Sequence, residues 1–292
     1  MAAEGELVRP YPNMFVEKGH WEACSPPERM KLVMKTLARQ RTGIVFAGLS
    51  AAVALGLEHS YYLHQQDDRI CIAKDSGSST GYCDRVRIMY VSKANIAQAV
   101  VANGLRVTSP LQTLFDCGRH YEFRDAVGLF DSALRMGTLT KDQILEYCEE
   151  PRHGIDRSKA LRVAKFANGL SENGGESFCY ATMEEEGLML PKQQVEFTDP
   201  NDASAVYRID YLWQLDDGRM IGGEFDGQQK YVDPSITNGR SLTMTLDMER
   251  RRQRALEARG ITMVRWFFAD ALRRRPLVNK LTAAGVPMRT AR

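Results

Sequence analysis

The chain has 292 residues, 43% apolar and 26% charged, which fits about two ordinary globular domains and leaves enough chain for a sizeable core. The net charge of +2 excludes a strongly basic or acidic chain, so any nucleic-acid partner must be read from the distribution of charge. The N-terminus has no signal pattern and no apolar run approaches the ~18 residues of a membrane span, so the expectation is a cytoplasmic protein without a membrane partner. The six cysteines (Cys24, Cys71, Cys83, Cys117, Cys148 and Cys179) are scattered without a CxxC pair. That pattern favours free, mostly buried thiols over a disulfide framework or a structural zinc site.

Residues 1–25, with Pro10, Pro12 and Gly19, read as irregular. "PPERMKLVMKTLARQR" (Pro26–Arg41) predicts an amphipathic helix with prolines at its start and Met30, Leu32, Val33, Met34 and Leu37 on its apolar side. A helix rich in alanine and leucine follows within Gly43–His59, closed near Gly56. "RICIAK" and "RVRIMYV" alternate as strands around the loop-like "DSGSSTGYCD". "LRVTSPLQTLFDCGRH" predicts a strand end and then a helix, capped by Thr108 or Ser109 with Pro110 in its first turn. Helical patterns continue over 122–136, 141–149 and 158–167.

"NGLSENGGES" (Asn168–Ser177) is the best domain boundary. A helix over 176–186 ends at Gly187. Three strands follow, "KQQVEFT", "VYRIDYLWQL" and "MIGGEFDG", the last two joined by the hairpin turn "DDGR". A helix over 242–259, the strand "ITMVRWFF" and a short helical tail complete an order that predicts helices around one central sheet.

The third strand ends in "GGEFDGQQKY". Side chains alternate along a strand, so Glu224 and Asp226 share a face, and the hairpin can bring Asp210 beside Glu224. Clustered carboxylates repel and resist burial unless a proton, an arginine or a divalent metal answers their charge. Oxygen-only ligands suit magnesium or manganese. A solvated sheet edge would also explain one Glu-x-Asp. The flanking glycines Gly222, Gly223 and Gly227 instead suggest close approach of a ligand or another backbone. Glu176 opens the preceding helix, where an acid also complements the helix dipole. Arg252 lies on the apolar side of its helix, where an arginine wants an anion: a structural carboxylate or a substrate phosphate.

These blocks resemble a known family. Helix glutamate, strand aspartate and a Glu-x-Lys-like strand end are similar to the PD-(D/E)XK nuclease core. "GESFCYATMEEEGLMLPKQQV", "YRIDYLW", "GEFDGQQKY" and "ERRRQRALEARGITMVRW" resemble its very-short-patch-repair-like endonuclease domains, over about 176–268. "LSAAVALGL", "GLRVTSPLQTLFDCGRH" and "AVGLFDSALRMGTLTKDQIL" resemble an AbiEi-type antitoxin-like region. That region often follows a winged-helix module, which the roughly forty residues before Gly43 would leave reduced or absent. The resemblance implies an N-terminal helical extension (1–42), an α+β AbiEi-like domain (43–170) and an α/β restriction-endonuclease-like domain (171–292) whose central mixed sheet is flanked by helices.

It further implies Asp210 and Glu224 as metal ligands joined by Asp226, with Glu176 as an ancillary carboxylate. Asp226 stands where the pattern has lysine and cannot supply a positive charge. Lys230 would supply the ammonium group, though a solvated lysine would look the same. From Glu249 to Arg275 there are nine arginines and three acids. Arg250, Arg251, Arg252, Arg254, Arg273 and Arg274 would form a phosphate-binding surface, or a solvated face. Trp266, Phe267 and Phe268 read as core. The expected function is a magnesium- or manganese-dependent endonuclease with DNA as partner, acting in a toxin–antitoxin or phage-defence context. The alternative is an inactive nuclease fold that binds DNA or the protein partner of a toxin–antitoxin pair. An RNA substrate is a third option. No hydrolase, zinc-protease or nucleotide-binding motif competes. The five histidines are dispersed and all precede the candidate site.

Overall fold

The computed structural model describes residues 6–77, 84–150, 157–199, 206–226, 252, 254–256 and 258–289. The chain divides into two compact units, Met1–Gly169 and Leu170–Arg292. Both mix helices with small sheets. No described helix is long and apolar enough to cross a membrane.

The first unit opens with order where irregular chain was expected. Strands β1 (Leu7–Tyr11) and β2 (Met14–Glu17) pair as a hairpin, and helix α1 (Lys18–Ala23) follows. Its turn holds Asn13 at φ 60, a left-handed conformation that asparagine tolerates better than most residues. Pro10 lies in a two-stranded ribbon, where a missing N–H need not cost a ladder bond.

Helix α2 (Pro26–Gln40) begins as its sequence demands: Glu28 returns a hydrogen bond of 2.7 Å from the Ser25 N–H. Its Met30, Val33, Met34 and Leu37 are buried. Helix α3 (Gly48–Leu55) ends at left-handed Gly56 and is buried almost all round, which its alanine-rich sequence permits. Helix α4 (Tyr62–Gln66) precedes the parallel strands β3 (Ile70–Lys74) and β4 (Val86–Tyr90). Helix α5 (Lys93–Ala97) leads to the antiparallel pair β5 (Val100–Ala102) and β6 (Leu105–Val107). Phe46 bridges to Ile72 and to Val107, tying the two strand pairs together.

Ser109 caps helix α6 (Pro110–His120), accepting from the Gln112 N–H at 3.3 Å. Thr108, the other candidate cap, is hydrogen-bonded to Thr113 at 2.8 Å instead. Helices α7 (Phe123–Arg135), α8 (Lys141–Glu149) and α9 (Arg157–Phe166) complete the unit.

The second unit starts with helix α10 (Gly174–Glu185), followed by left-handed Gly187. Strands β7 (Lys192–Thr198), β8 (Val206–Gln214) and β9 (Met220–Asp226) run antiparallel to their neighbours. Strand β10 (Ile261–Phe267) adds to β9 in parallel, giving the order β10-β9-β8-β7. The β8–β9 turn closes with a 2.9 Å bond from the Leu215 N–H to Arg219 O and with Gly218 at φ 87. Short helices Phe268–Leu272 and Arg275–Ala283 follow β10.

Both faces of this mixed sheet are covered. Tyr211 and Trp213 pack with Trp266, and the Tyr211 hydroxyl donates to Glu176 O of α10 at 2.8 Å. Leu212, Ile261 and Ile209 form a cluster with Leu256 from the helical residues at 254–256. Trp266 is fully buried, but Phe267 is 45% exposed. The alternation of side chains turns it out of the core it was expected to join. Phe268 stacks on Phe178 at 4.8 Å.

Candidate functional site

The sheet register builds the site. Tyr211 opposes Gly223 and Leu212 opposes Gly222, so the next step of the ladder sets Asp210 beside Glu224. The Phe225 N–H donates to Asp210 Oδ2 at 2.9 Å, fixing that carboxylate at the end of the β8–β9 pairing. Parallel β10 places Arg265 opposite Glu224. Its Nε lies 3.3 Å from Glu224 Oε2. Arg252 pairs with Glu224 Oε1 and also donates to Arg208 O at 2.6 Å. Of the two partners that Arg252 could have sought, a carboxylate or a phosphate, the chain itself supplies the carboxylate.

Glu224 is 9% exposed. Burial pushes its carboxyl above the ordinary glutamate range; Arg252 and then Arg265 pull it back, and the negative charge of Asp210 pushes it up again. Two guanidiniums from different elements hold a charge that would otherwise be costly so far from water.

Glu176 lies in the first turn of α10, but its carboxylate is already engaged. It accepts from the Glu172 N–H at 2.7 Å, Asn173 Nδ2 at 2.7 Å and Gln194 Nε2 at 3.0 Å. It ties the helix start to strand β7. Gln194 was not anticipated as part of this region. It sits at φ 54 between the pairs Gln193↔Tyr211 and Val195↔Ile209, and the β7–β8 register is the same on both sides of it. From this left-handed position its side-chain amide reaches the Glu176 carboxylate.

The strand glycines have a different role from the expected one. A Cβ on Gly223 would meet Trp266 at 2.6 Å and Trp213 at 2.9 Å, and one on Gly222 would collide with Met263. The space is filled by the protein's own side chains, not kept for a ligand. Likewise a Cβ on Gly175 would meet the Phe225 ring at 2.6 Å, so that glycine lets α10 approach β9. Gly227 lies outside the described residues.

Of the remaining expected residues, Asp226 ends β9 and is half-buried. Arg254 and Arg273 are exposed. Arg274 is held at 2.7 Å by both Glu185 and Glu186, so its guanidinium serves the end of α10 and is not a free phosphate contact. Lys230, Arg250 and Arg251 lie outside the described residues. The described cysteines are free: Cys71, Cys117, Cys148 and Cys179 are buried and Cys24 is half-buried. The histidines are less dispersed than the sequence suggested: His59 and His64 meet at 2.9 Å between their Nε2 atoms.

Among the described residues no group of three or more His, Cys, Asp and Glu side chains is placed to hold a metal. The trio Asp210, Glu224 and Asp226 is therefore not gathered as such. The adjacent pair Asp210 and Glu224 still fits magnesium or manganese in donor type. Magnesium takes one or two protein carboxylates and completes its shell with water and substrate oxygens. Comparison with protein-family models, with curated proteins and with solved structures gives no match.

Proposed function

We propose that the second unit is a restriction-endonuclease-like (PD-(D/E)XK) domain and that the protein is a divalent-metal-dependent endonuclease acting on DNA. The observation that carries this reading is the placing of Asp210 and Glu224 one step beyond the last β8–β9 pair, with Asp210 held by the Phe225 N–H, within a helix, an antiparallel three-strand meander and a fourth strand parallel to the third. The resemblance in sequence assigns its two metal ligands to those two positions.

Asp210 and Glu224 would hold magnesium or manganese. The ion supplies Lewis-acid activation of water and charge neutralisation at the phosphate. The Phe225 N–H orients Asp210. Glu176 and Gln194 brace the helix start against β7. With Asp226 in place of the pattern lysine, positive charge at the site comes from arginine. The AbiEi-like resemblance of the first unit adds a toxin–antitoxin or phage-defence setting to the proposal.

The engagement of Glu224 by Arg252 and Arg265 favours a second reading, a nuclease fold that binds nucleic acid or a protein without cutting. Supercoiled plasmid with magnesium or manganese separates the two. The nuclease reading expects nicking or linearisation by wild type that is lost in Glu224→Ala. No cleavage by wild type on DNA or RNA, with no metal binding by calorimetry, would overturn it in favour of the binding protein.

A further inference from the structure

We infer that Arg252 and Arg265 are the phosphate-binding groups of this site and that Glu224 is their latch. While the carboxylate is free it holds both guanidiniums; once its charge is taken up elsewhere, both turn to a phosphodiester. The inference deepens the proposed nuclease reading, on which its metal-coupled step rests, but its core concerns only these three side chains.

Three observations lead here. Both guanidiniums converge on one buried carboxylate, Arg252 at Oε1 and Arg265 at Oε2. One buried acid is thus held by two bases. Secondly, the arginines come from separate elements, one from the helical residues near 254–256 and one from β10. Two donors of independent origin can close on a phosphate from two sides. Thirdly, neither is sealed in: Arg265 is 41% and Arg252 22% exposed at the side chain. A guanidinium forks as well onto phosphate oxygens as onto a carboxylate.

A divalent cation and the two arginines therefore compete for Glu224. Were a cation to take the carboxylate, the two guanidiniums would give up Glu224 beside the bound ion and could add a phosphate oxygen to the contacts they keep, such as that of Arg252 with Arg208 O. Nucleic acid and metal each release what the other needs, which is a positive coupling between the two ligands.

The test needs no cleavage. A short fluorescent DNA duplex is titrated with the full chain in chelator, across a range of salt concentrations, and the slope of log affinity against log salt is compared between variants. Glu224→Gln keeps the side-chain shape and removes the latch. It is expected to tighten binding and steepen the slope by about one to two, because each phosphate contact adds roughly 0.9. Glu196→Gln removes one negative charge from β7 without touching either arginine and serves as the charge control. Adding Arg252→Gln and Arg265→Gln to Glu224→Gln is expected to return the slope to that of wild type, with circular dichroism confirming the fold. A slope in Glu224→Gln equal to that of wild type or of the charge control overturns the latch.

The outcomes also separate this inference from the nuclease reading. Wild-type cleavage with an unchanged slope would leave the nuclease and remove the latch. A steepened slope in a protein that cuts nothing would leave the arginine pair as the phosphate site of a binding protein.

Discussion

Single buried charges are where this protein departs most from what its residue types advertise. Asp116, on α6, has no exposed surface. Burial pushes its carboxyl up to about 6, against the pull of the Arg119 guanidinium at 3.0 Å. The folded state thus holds this proton more tightly than the unfolded chain, whose aspartates titrate near 3.9. Its contribution to stability is complete below about pH 4 and is lost as pH rises through about 6. Asp116→Asn stays neutral throughout. It is expected to gain on wild type at pH 8 relative to pH 4, by on the order of 2–3 kcal/mol. Thermal melts at pH 4, 6 and 8 check this, and a gain constant over that range would remove burial of the charge as its cause. The same reasoning explains why Glu224 needs two arginines and why neither was assigned to it from sequence. Arg252 carried a visible signal, its place on the apolar side of a helix. Arg265 carried none, because only the parallel register of β10 sets it against Glu224.

Elements were legible where capping and turn chemistry are local. The starts of α2 and α6 follow from Ser-Pro and Ser-Pro-Leu, and the β8–β9 hairpin follows from Asp-Asp-Gly. The β1–β2 hairpin was missed because its prolines read as breakers, and β5 because three residues carry too little alternation to register. Parallel pairing of β3 with β4 cannot be read from strand patterns, which report burial and not direction. The candidate site divides the same way. Strand alternation placed Asp210 beside Glu224, while the left-handed backbone of Gln194 leaves no mark on a strand pattern. Helix α10 links this level to the site. Asn173 accepts from the Gly175 and Glu176 N–H groups at 2.9 and 3.0 Å and donates to the Glu176 carboxylate. Asn173→Ala removes all three and is expected to cost about 1–2 kcal/mol. Asn173→Asp keeps the cap but sets a carboxylate against Glu176, so it is expected to recover only part of the loss. Urea unfolding followed by tryptophan fluorescence measures both. Full recovery in Asn173→Asp would show that the Glu176 contact contributes nothing.

At the scale of the whole chain, composition misled in one respect. The arginines between 249 and 275 suggested a basic surface, yet several of those described serve the protein's own groups: Arg252 and Arg265 hold Glu224, Arg259 stacks over Phe197, and Arg274 holds Glu185 and Glu186. Net charge and charge runs count residues, whereas a ligand meets only what the fold leaves unspent.

The division into two units has its own consequence. Each unit has a separate core, one around Phe46, Phe115 and Phe130 and the other around Tyr211, Trp213 and Trp266. Two of the three tryptophans are buried in the second unit, while α1 to α9 all belong to the first. Tryptophan emission therefore reports mainly on Leu170–Arg292, and far-ultraviolet circular dichroism mainly on Met1–Gly169. Phe130 on α7 is fully buried, and Phe130→Ala is expected to cost the first unit about 3–5 kcal/mol through lost transfer energy and the cavity left behind. If the units unfold independently, that variant lowers the dichroism midpoint in denaturant and leaves the fluorescence midpoint where it was. Equal shifts of both midpoints would mean that the chain melts as one cooperative block. In that case a loss of nucleic-acid binding on mutating the first unit could not be assigned to a contact there, because the fold of the second would fall with it.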